Sequence, residues 1–208
     1  MPTLVANHRG REVALWKDED FLNWLQPGVF ADLIDGEKFM HSPVTLKHAD
    51  LLNFVDEFLR RWIRKKQLGG RLYREVVAVR LGQRNVFLPD LCWFAPEQLP
   101  MLEPTHAPLA PRWVCEVLSP TTADRDIGPK FATYEEQGVR EYWVLDPDHL
   151  EHRFFAREGD YLSEFDAGSD AVRSRIFDGL VIKRSWLDPD HLPDVETCLV
   201  EAASSTGA

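Results

Sequence analysis

The chain has 208 residues, of which 44% are hydrophobic and 28% charged, and its formal net charge is −10. This length suits one α/β domain with a good core, and the ordinary composition argues against wholesale disorder. The excess of acids argues against a protein that mainly coats nucleic acid, since such proteins neutralise phosphates with Lys and Arg. An enzyme with a basic surface around a metal site is still allowed, because a bound cation inverts the local electrostatics.

The three cysteines, Cys92, Cys115 and Cys198, are widely spaced, and two of them lie in apolar runs. This pattern predicts reduced, buried side chains rather than a disulfide framework or a zinc site. The first residues lack the apolar core of a signal peptide, and no apolar run is long enough to span a membrane. We therefore expect a cytoplasmic protein with no membrane partner.

The first third of the chain predicts a leader, a hairpin and a long helix. Residues 1–14 read as an N-terminal leader. Asp35-Gly36 separates two β-like runs and is a strong two-residue hairpin signal. Ser42-Pro43 predicts the start of a helix whose apolar residues recur at helical spacing as far as Trp62. Gly69-Gly70 lies beyond its end.

The middle and end of the chain predict strands and one short helix. Two β-like runs, 72–81 and 84–94, are separated by Gly82-Gln83, and a proline-rich loop follows to residue 112. Next come an apolar strand ending near Leu118, a helix from about Asp126 to Gly138, and a second apolar strand from Tyr142. A meander, an uncertain helical segment at 186–199 and a polar tail at 201–208 complete the chain. The pattern indicates one domain of the α+β or α/β class.

Two acids, Asp90 and Glu116, occur inside otherwise apolar runs, and an ionised carboxylate there is costly unless it is paired or binds a cation. Taken singly, Glu116 could be a strand-end acid, Asp90 a turn residue after Pro89, and Lys130 a surface lysine. If the two strands are neighbours, however, the carboxylates converge and Lys130 returns over the same edge from the next helix. Together the three residues suggest a metal-dependent phosphodiesterase site.

The histidines His41, His48 and His106 have no metal-ligand spacing, and we interpret them as surface or capping residues.

The same residues carry a resemblance to a known family. The runs Leu-Pro-Asp-Leu at 88–91, Glu-Val-Leu-Ser-Pro-Thr-Thr at 116–122 and Gly-Val-Arg-Glu-Tyr-Trp at 138–143 resemble the Uma2-type family of restriction-endonuclease-like proteins. More broadly, the pattern of acids resembles the PD-(D/E)XK nuclease superfamily, to which that family belongs. The chain departs from the superfamily pattern at Leu118, where a lysine is usual. The resemblance implies that Lys130, on the following helix, takes the role of that lysine.

The resemblance implies a restriction-endonuclease-like mixed β-sheet flanked by helices, spanning residues 15–187 as a single domain, with 188–208 as a C-terminal segment. It implies a DNA endonuclease that uses Mg²⁺ or Mn²⁺. Asp90 and Glu116 would bind the metal, and Lys130 would be the catalytic base or stabiliser. The weaker candidates are two auxiliary acids and two supporting residues: Glu37, Glu75, Asp126 and Tyr134.

The alternative is a catalytically weak or inactive member that binds nucleic acid or acts as an oligomeric interaction module. The sequence also leaves open whether the chain forms a homodimer.

Overall fold

A computed structural model describes residues 3–6, 12–75 and 77–204 of the chain. Its strands are β1 (Thr3–Ala6), β2 (Glu12–Leu15), β3 (Ala31–Ile34), β4 (Glu37–Met40), β5 (Arg71–Arg74), β6 (Ala78–Arg80), β7 (Val86–Phe87), β8 (Leu91–Phe94), β9 (His106–Ala107), β10 (Trp113–Val117), β11 (Glu141–Leu145), β12 (Arg153–Glu158), β13 (Tyr161–Glu164), β14 (Ala171–Arg173) and β15 (Val181–Lys183). Its α-helices are α1 (Asp18–Trp24), α2 (Leu46–Lys65), α3 (Ala123–Asp126), α4 (Pro129–Glu136) and α5 (Val195–Ser204). Short 3₁₀ turns span Pro96–Met101 and Arg184–Trp186.

The central sheet has six strands in the order β13-β12-β11-β10-β8-β5. Strands β10 and β11 are parallel and joined by α3 and α4, whereas the other neighbours are antiparallel. A second sheet has the order β4-β3-β7-β6-β9. Mixed sheets flanked by helices in a single domain agree with the predicted fold class.

Alternation along β10 sends its side chains to two different layers. Trp113, Cys115 and Val117 pack into the core cluster that also contains the apolar face of α2. Val114 packs on the opposite side with Tyr134 of α4. Glu116 shares the face of Val114, so a carboxylate is directed into the layer between the central sheet and α4.

One long hairpin contributes strands to both sheets. Strands β5 and β8 pair at its open end, and β6 and β7 pair near its turn, where the amide of Leu81 donates to the carbonyl of Asn85 at 2.7 Å. The hairpin was expected around Gly82-Gln83, but as two uninterrupted strands. Each strand instead breaks midway, at Glu75 and at Asp90, because β8 also pairs with β10 while β7 also pairs with β3.

The long helix α2 begins later than predicted. Thr45, rather than Ser42, is its N-cap, and the Thr45 hydroxyl accepts a hydrogen bond from the amide of His48 at 3.2 Å. Its buried face includes Leu51, Phe58 and Trp62, as the helical spacing predicted. The hairpin at Asp35-Gly36 is also confirmed, with φ of 51° and 87° at its two turn residues.

The chain ends differ from the sequence prediction. Strand β1 pairs with β2, so the described part of the predicted leader forms a strand pair; residues 7–11 lie outside the described part. Of the predicted polar tail at 201–208, residues 201–204 form the last turn of α5, and Leu199 and Ala202 pack into the core beside α2. Residues 1–2 and 205–208 also lie outside the described part. The proline-rich loop contains a 3₁₀ turn and the short strand β9.

The three cysteines are free and buried, as predicted. Among the described residues, no helix has the length and apolar character that crossing a bilayer requires.

Candidate active site

A cleft of about 490 Å³ is lined by residues of both sheets and of the helices beside them. Among the described residues, its lining holds five carboxylates and only two side chains that carry a permanent positive charge, Arg125 and Lys130. The carboxylates are those of Asp32, Glu75, Asp90, Glu116 and Asp126. Such a surplus of negative charge repels a phosphodiester unless a cation is bound.

Asp90 and Glu116 lie close together because their strands are neighbours. This is the arrangement that the sequence prediction required for the two carboxylates to converge. Strand β10 pairs with β8 in a register that places Cys115 opposite Leu91, so Glu116 lies beside Asp90. The amide of Asp90 donates to Glu116 Oε2 at 3.3 Å, and the amide of Val117 donates to Asp90 Oδ2 at 2.7 Å. These backbone bonds hold the two carboxylates side by side.

Lys130 is buried, with 3% of its surface exposed, so the interpretation as a surface lysine is wrong. Its ammonium nitrogen lies 2.6 Å from Glu116 Oε1, 3.0 Å from Asp126 Oδ1 and 3.6 Å from Asp32 Oδ2. Burial opposes its charge, but Asp126, Asp32 and Glu116 outweigh burial and raise the pKa of Lys130 well above its ordinary value. Lys130 is therefore protonated at neutral pH.

The carboxylate of Glu116 is enclosed by its partners. Its Oε1 accepts a hydrogen bond from the Tyr134 hydroxyl at 2.8 Å and also forms the ion pair with Lys130. Burial raises the pKa of Glu116 well above its ordinary value; Lys130 lowers that pKa, whereas Asp126 and Asp90 raise it further. Lys130 and Tyr134 lie one turn apart on α4, whereas Asp126 ends the separate helix α3, because the single helix predicted from about Asp126 to Gly138 is interrupted at Gly128.

Asp32 is a cleft residue that the sequence analysis missed. Its Oδ1 accepts from the amide of Leu88 at 2.7 Å, and its Oδ2 lies 3.2 Å from His41 Nε2. Burial raises the pKa of Asp32, but Lys130 and His41 outweigh burial and lower it. The sequence does contain a pattern that could have identified Asp32, because it is an acid within the apolar run at 30–34, as Asp90 and Glu116 are acids within theirs.

His48 was interpreted as a surface or capping residue, yet it is buried, with 3% of its surface exposed. Ligand atoms of His48, Glu75 and Asp90 all lie within 4.8 Å of one another. Glu75, one of the two candidate auxiliary acids, lines the cleft. The other auxiliary acid, Glu37, lies on β4 and is outside the cleft lining.

Comparisons with known proteins identify the family and the fold. The Uma2 family, described as a putative restriction endonuclease, matches residues 18–185. A crystal structure of a putative nuclease belonging to DUF820 from Anabaena variabilis ATCC 29413 superposes with a TM-score of 0.68 at 18% identity, covering 83% of this chain and 97% of that one. A comparison with curated proteins finds no match. Because the family match covers most of the chain, the protein belongs to the Uma2 family of restriction-endonuclease-like proteins.

Proposed function

We propose that the chain is a metal-dependent endonuclease that hydrolyses phosphodiester bonds in DNA. The observation that carries the proposal is the contact of 2.6 Å between the Lys130 ammonium and Glu116, with Asp90 beside it in a cleft rich in carboxylates. Membership of a family described as a putative restriction endonuclease supports the same conclusion. Asp90, Glu116 and Lys130 are the proposed catalytic residues.

The donor set fits a hard divalent cation such as Mg²⁺ or Mn²⁺, which prefers carboxylate oxygens. Asp90 and Glu116 would hold it, with Glu75 nearby. When bound, the cation would polarise the phosphate and lower the pKa of a water molecule. It would also offset the surplus of carboxylates, which otherwise disfavours binding of an anionic substrate.

Lys130 acts as an electrostatic stabiliser rather than as a base. A base must give up its proton, and the surrounding carboxylates raise the pKa of Lys130 well above its ordinary value. A preorganised ammonium in a buried site stabilises the negative charge that develops on the attacked phosphate. Asp126 and Tyr134 position this pair, since Asp126 binds the Lys130 ammonium and Tyr134 donates to Glu116.

A plasmid-nicking assay tests the proposal. Supercoiled DNA is incubated with wild-type protein in a series of Mg²⁺, Mn²⁺ and Ca²⁺ concentrations and with a chelator. We expect nicking with Mg²⁺ or Mn²⁺, loss of nicking with the chelator, and binding without efficient cleavage in Ca²⁺, which tolerates looser coordination.

Two variants and one control make the assay specific to this site. Asp90→Asn and Glu116→Gln should lose nicking, whereas Glu136→Gln changes an exposed carboxylate of α4 and should retain it. Equal nicking by wild type and Glu116→Gln would assign the cleavage to a contaminant. DNA binding without cleavage under any metal would instead support an inactive nucleic-acid-binding module.

A further inference from the structure

The two ring nitrogens of His48 are buried polar atoms without hydrogen-bond partners among the described residues. Leaving such an atom unpaired typically costs about 1–3 kcal/mol, so buried polar atoms in native structures are usually bonded to protein, water or an ion. The nearest oxygen of Asp90 lies 3.7 Å from His48 Nε2, beyond ordinary hydrogen-bonding distance, and the backbone of Leu118 also lies near the ring. The packing of α2 therefore holds the imidazole in place, and neither ring nitrogen forms a hydrogen bond with a described residue.

The ring lies near the Asp90 oxygen that does not accept the Val117 amide. Asp90 Oδ2 accepts the amide of Val117, whereas Oδ1 lies 3.7 Å from His48 Nε2. This distance is too long for a hydrogen bond but suits two ligands of one ion. Ligands at about 2.0–2.4 Å from a cation lie roughly 3–4.5 Å apart, depending on the angle between them.

Glu75 completes the group from the neighbouring strand of the hairpin. Its amide donates to the carbonyl of Asp90 at 3.1 Å, which fixes the two breaks in the hairpin next to each other. The ligand atoms of His48, Glu75 and Asp90 lie within 4.8 Å of one another, so a few tenths of an ångström of adjustment would bring them around one ion. Lys130 contacts Glu116 instead, on the other side of the Asp90–Glu116 pair.

We propose that His48, Glu75 and Asp90 form a binding site for a divalent first-row transition metal, which shares Asp90 with the Asp90–Glu116 pair and in which His48 supplies a nitrogen ligand. The proposal rests on the nuclease function above and specifies which cation the cleft selects. Mg²⁺ is bound almost entirely by oxygen, whereas imidazole is a good ligand for transition metals. The protein should therefore bind Mn²⁺ more tightly than Mg²⁺, and His48 should cause the difference.

Electron spin-echo measurements on bound Mn²⁺ test the nitrogen ligand directly and independently of DNA cleavage. Protein labelled with ¹⁵N only in histidine should show coupling between Mn²⁺ and ¹⁵N, and His48→Ala should remove it. Titration calorimetry should show that His48→Ala weakens Mn²⁺ binding by about tenfold or more while changing Mg²⁺ binding much less. His191→Ala removes an exposed histidine that pairs with Asp188 and serves as the matched control.

Glu75→Gln gives a second test that does not depend on a buried substitution, because the Glu75 side chain is 38% exposed. It should weaken Mn²⁺ binding and preserve the melting temperature. Bound Mn²⁺ without nitrogen coupling, or coupling that persists in His48→Ala, would overturn the proposal; persistence would point to His41, which also lines the cleft. Nicking without nitrogen coupling would refute this site and leave the nuclease function supported. Nitrogen coupling without nicking would support this site and refute the nuclease function.

Discussion

Replacing Lys130 with methionine should destabilise the fold strongly, because the ammonium compensates three carboxylates in a buried cluster. Methionine has a similar length but no charge, so Glu116 and Asp126 would be left facing each other, with Asp32 still supported by His41. Removing one partner from a buried ion pair typically costs about 3–5 kcal/mol. For a domain of this size, such a loss lowers the melting temperature by about 6–20 °C.

The loss should depend on pH in a defined direction. Without Lys130, the pKa values of Glu116 and Asp126 in the folded protein lie further above their unfolded values. A carboxyl group with a raised folded pKa favours folding when it is protonated, and this contribution is lost as the pH rises through the folded pKa. The stability difference between wild type and Lys130→Met should therefore be small in acid and largest at alkaline pH.

Urea unfolding followed by tryptophan fluorescence, at about pH 5 and about pH 8, measures both effects. Lys130→Met/Asp126→Asn should recover part of the lost stability, because the second substitution removes one of the uncompensated charges. Lys17→Met, at an exposed position, should change stability by no more than about 0.5 kcal/mol. A melting temperature for Lys130→Met within about 1 °C of wild type at both pH values would refute the charge-compensation argument.

Two further substitutions test the buried carboxylates by chemical denaturation. Glu116→Gln should leave metal-free stability unchanged or raise it, because it removes repulsion from Asp126 and Asp90 while Lys130 keeps other carboxylate partners; a clear loss would make Glu116 a structural anchor. Glu141 is buried, and burial raises its pKa to about 7 from 4.5 despite hydrogen bonds from Trp143 and the loop at 174–176. The contribution of Glu141 to the free energy of unfolding should therefore fall by about 3 kcal/mol as the pH rises from about 4.5 to about 7. The stability of Glu141→Gln should not show this dependence on pH.

Much of the candidate site could be predicted because its signal is local. An acid in an apolar strand is recognisable wherever the strand is, which singled out Glu116 and Asp90, and the one-turn spacing of Lys130 and Tyr134 follows from helical geometry. Pairing of β8 with β10 then brings the two groups together. Asp32 obeys the same rule and was predictable in principle.

The position of His48 could not be predicted in this way. A histidine in the first turn of a helix reads as exposed or capping from local sequence alone. Its burial arises from where α2 docks on the central sheet, which is set by contacts distant in sequence. The breaks in the long hairpin were missed for a related reason: each break exists because β7 and β8 have different outer partners, β3 and β10.

The shared hairpin also affects how the protein folds. Because one continuous segment supplies β5 and β8 to one sheet and β6 and β7 to the other, neither sheet can form completely while the other is unfolded. The two sheets should therefore unfold in one cooperative transition, with amides on both sides of Glu75 and Asp90 exchanging with solvent at similar rates. The backbones at those two breaks are joined by the hydrogen bond from the Glu75 amide to the Asp90 carbonyl, so this cooperativity also keeps the two residues next to each other.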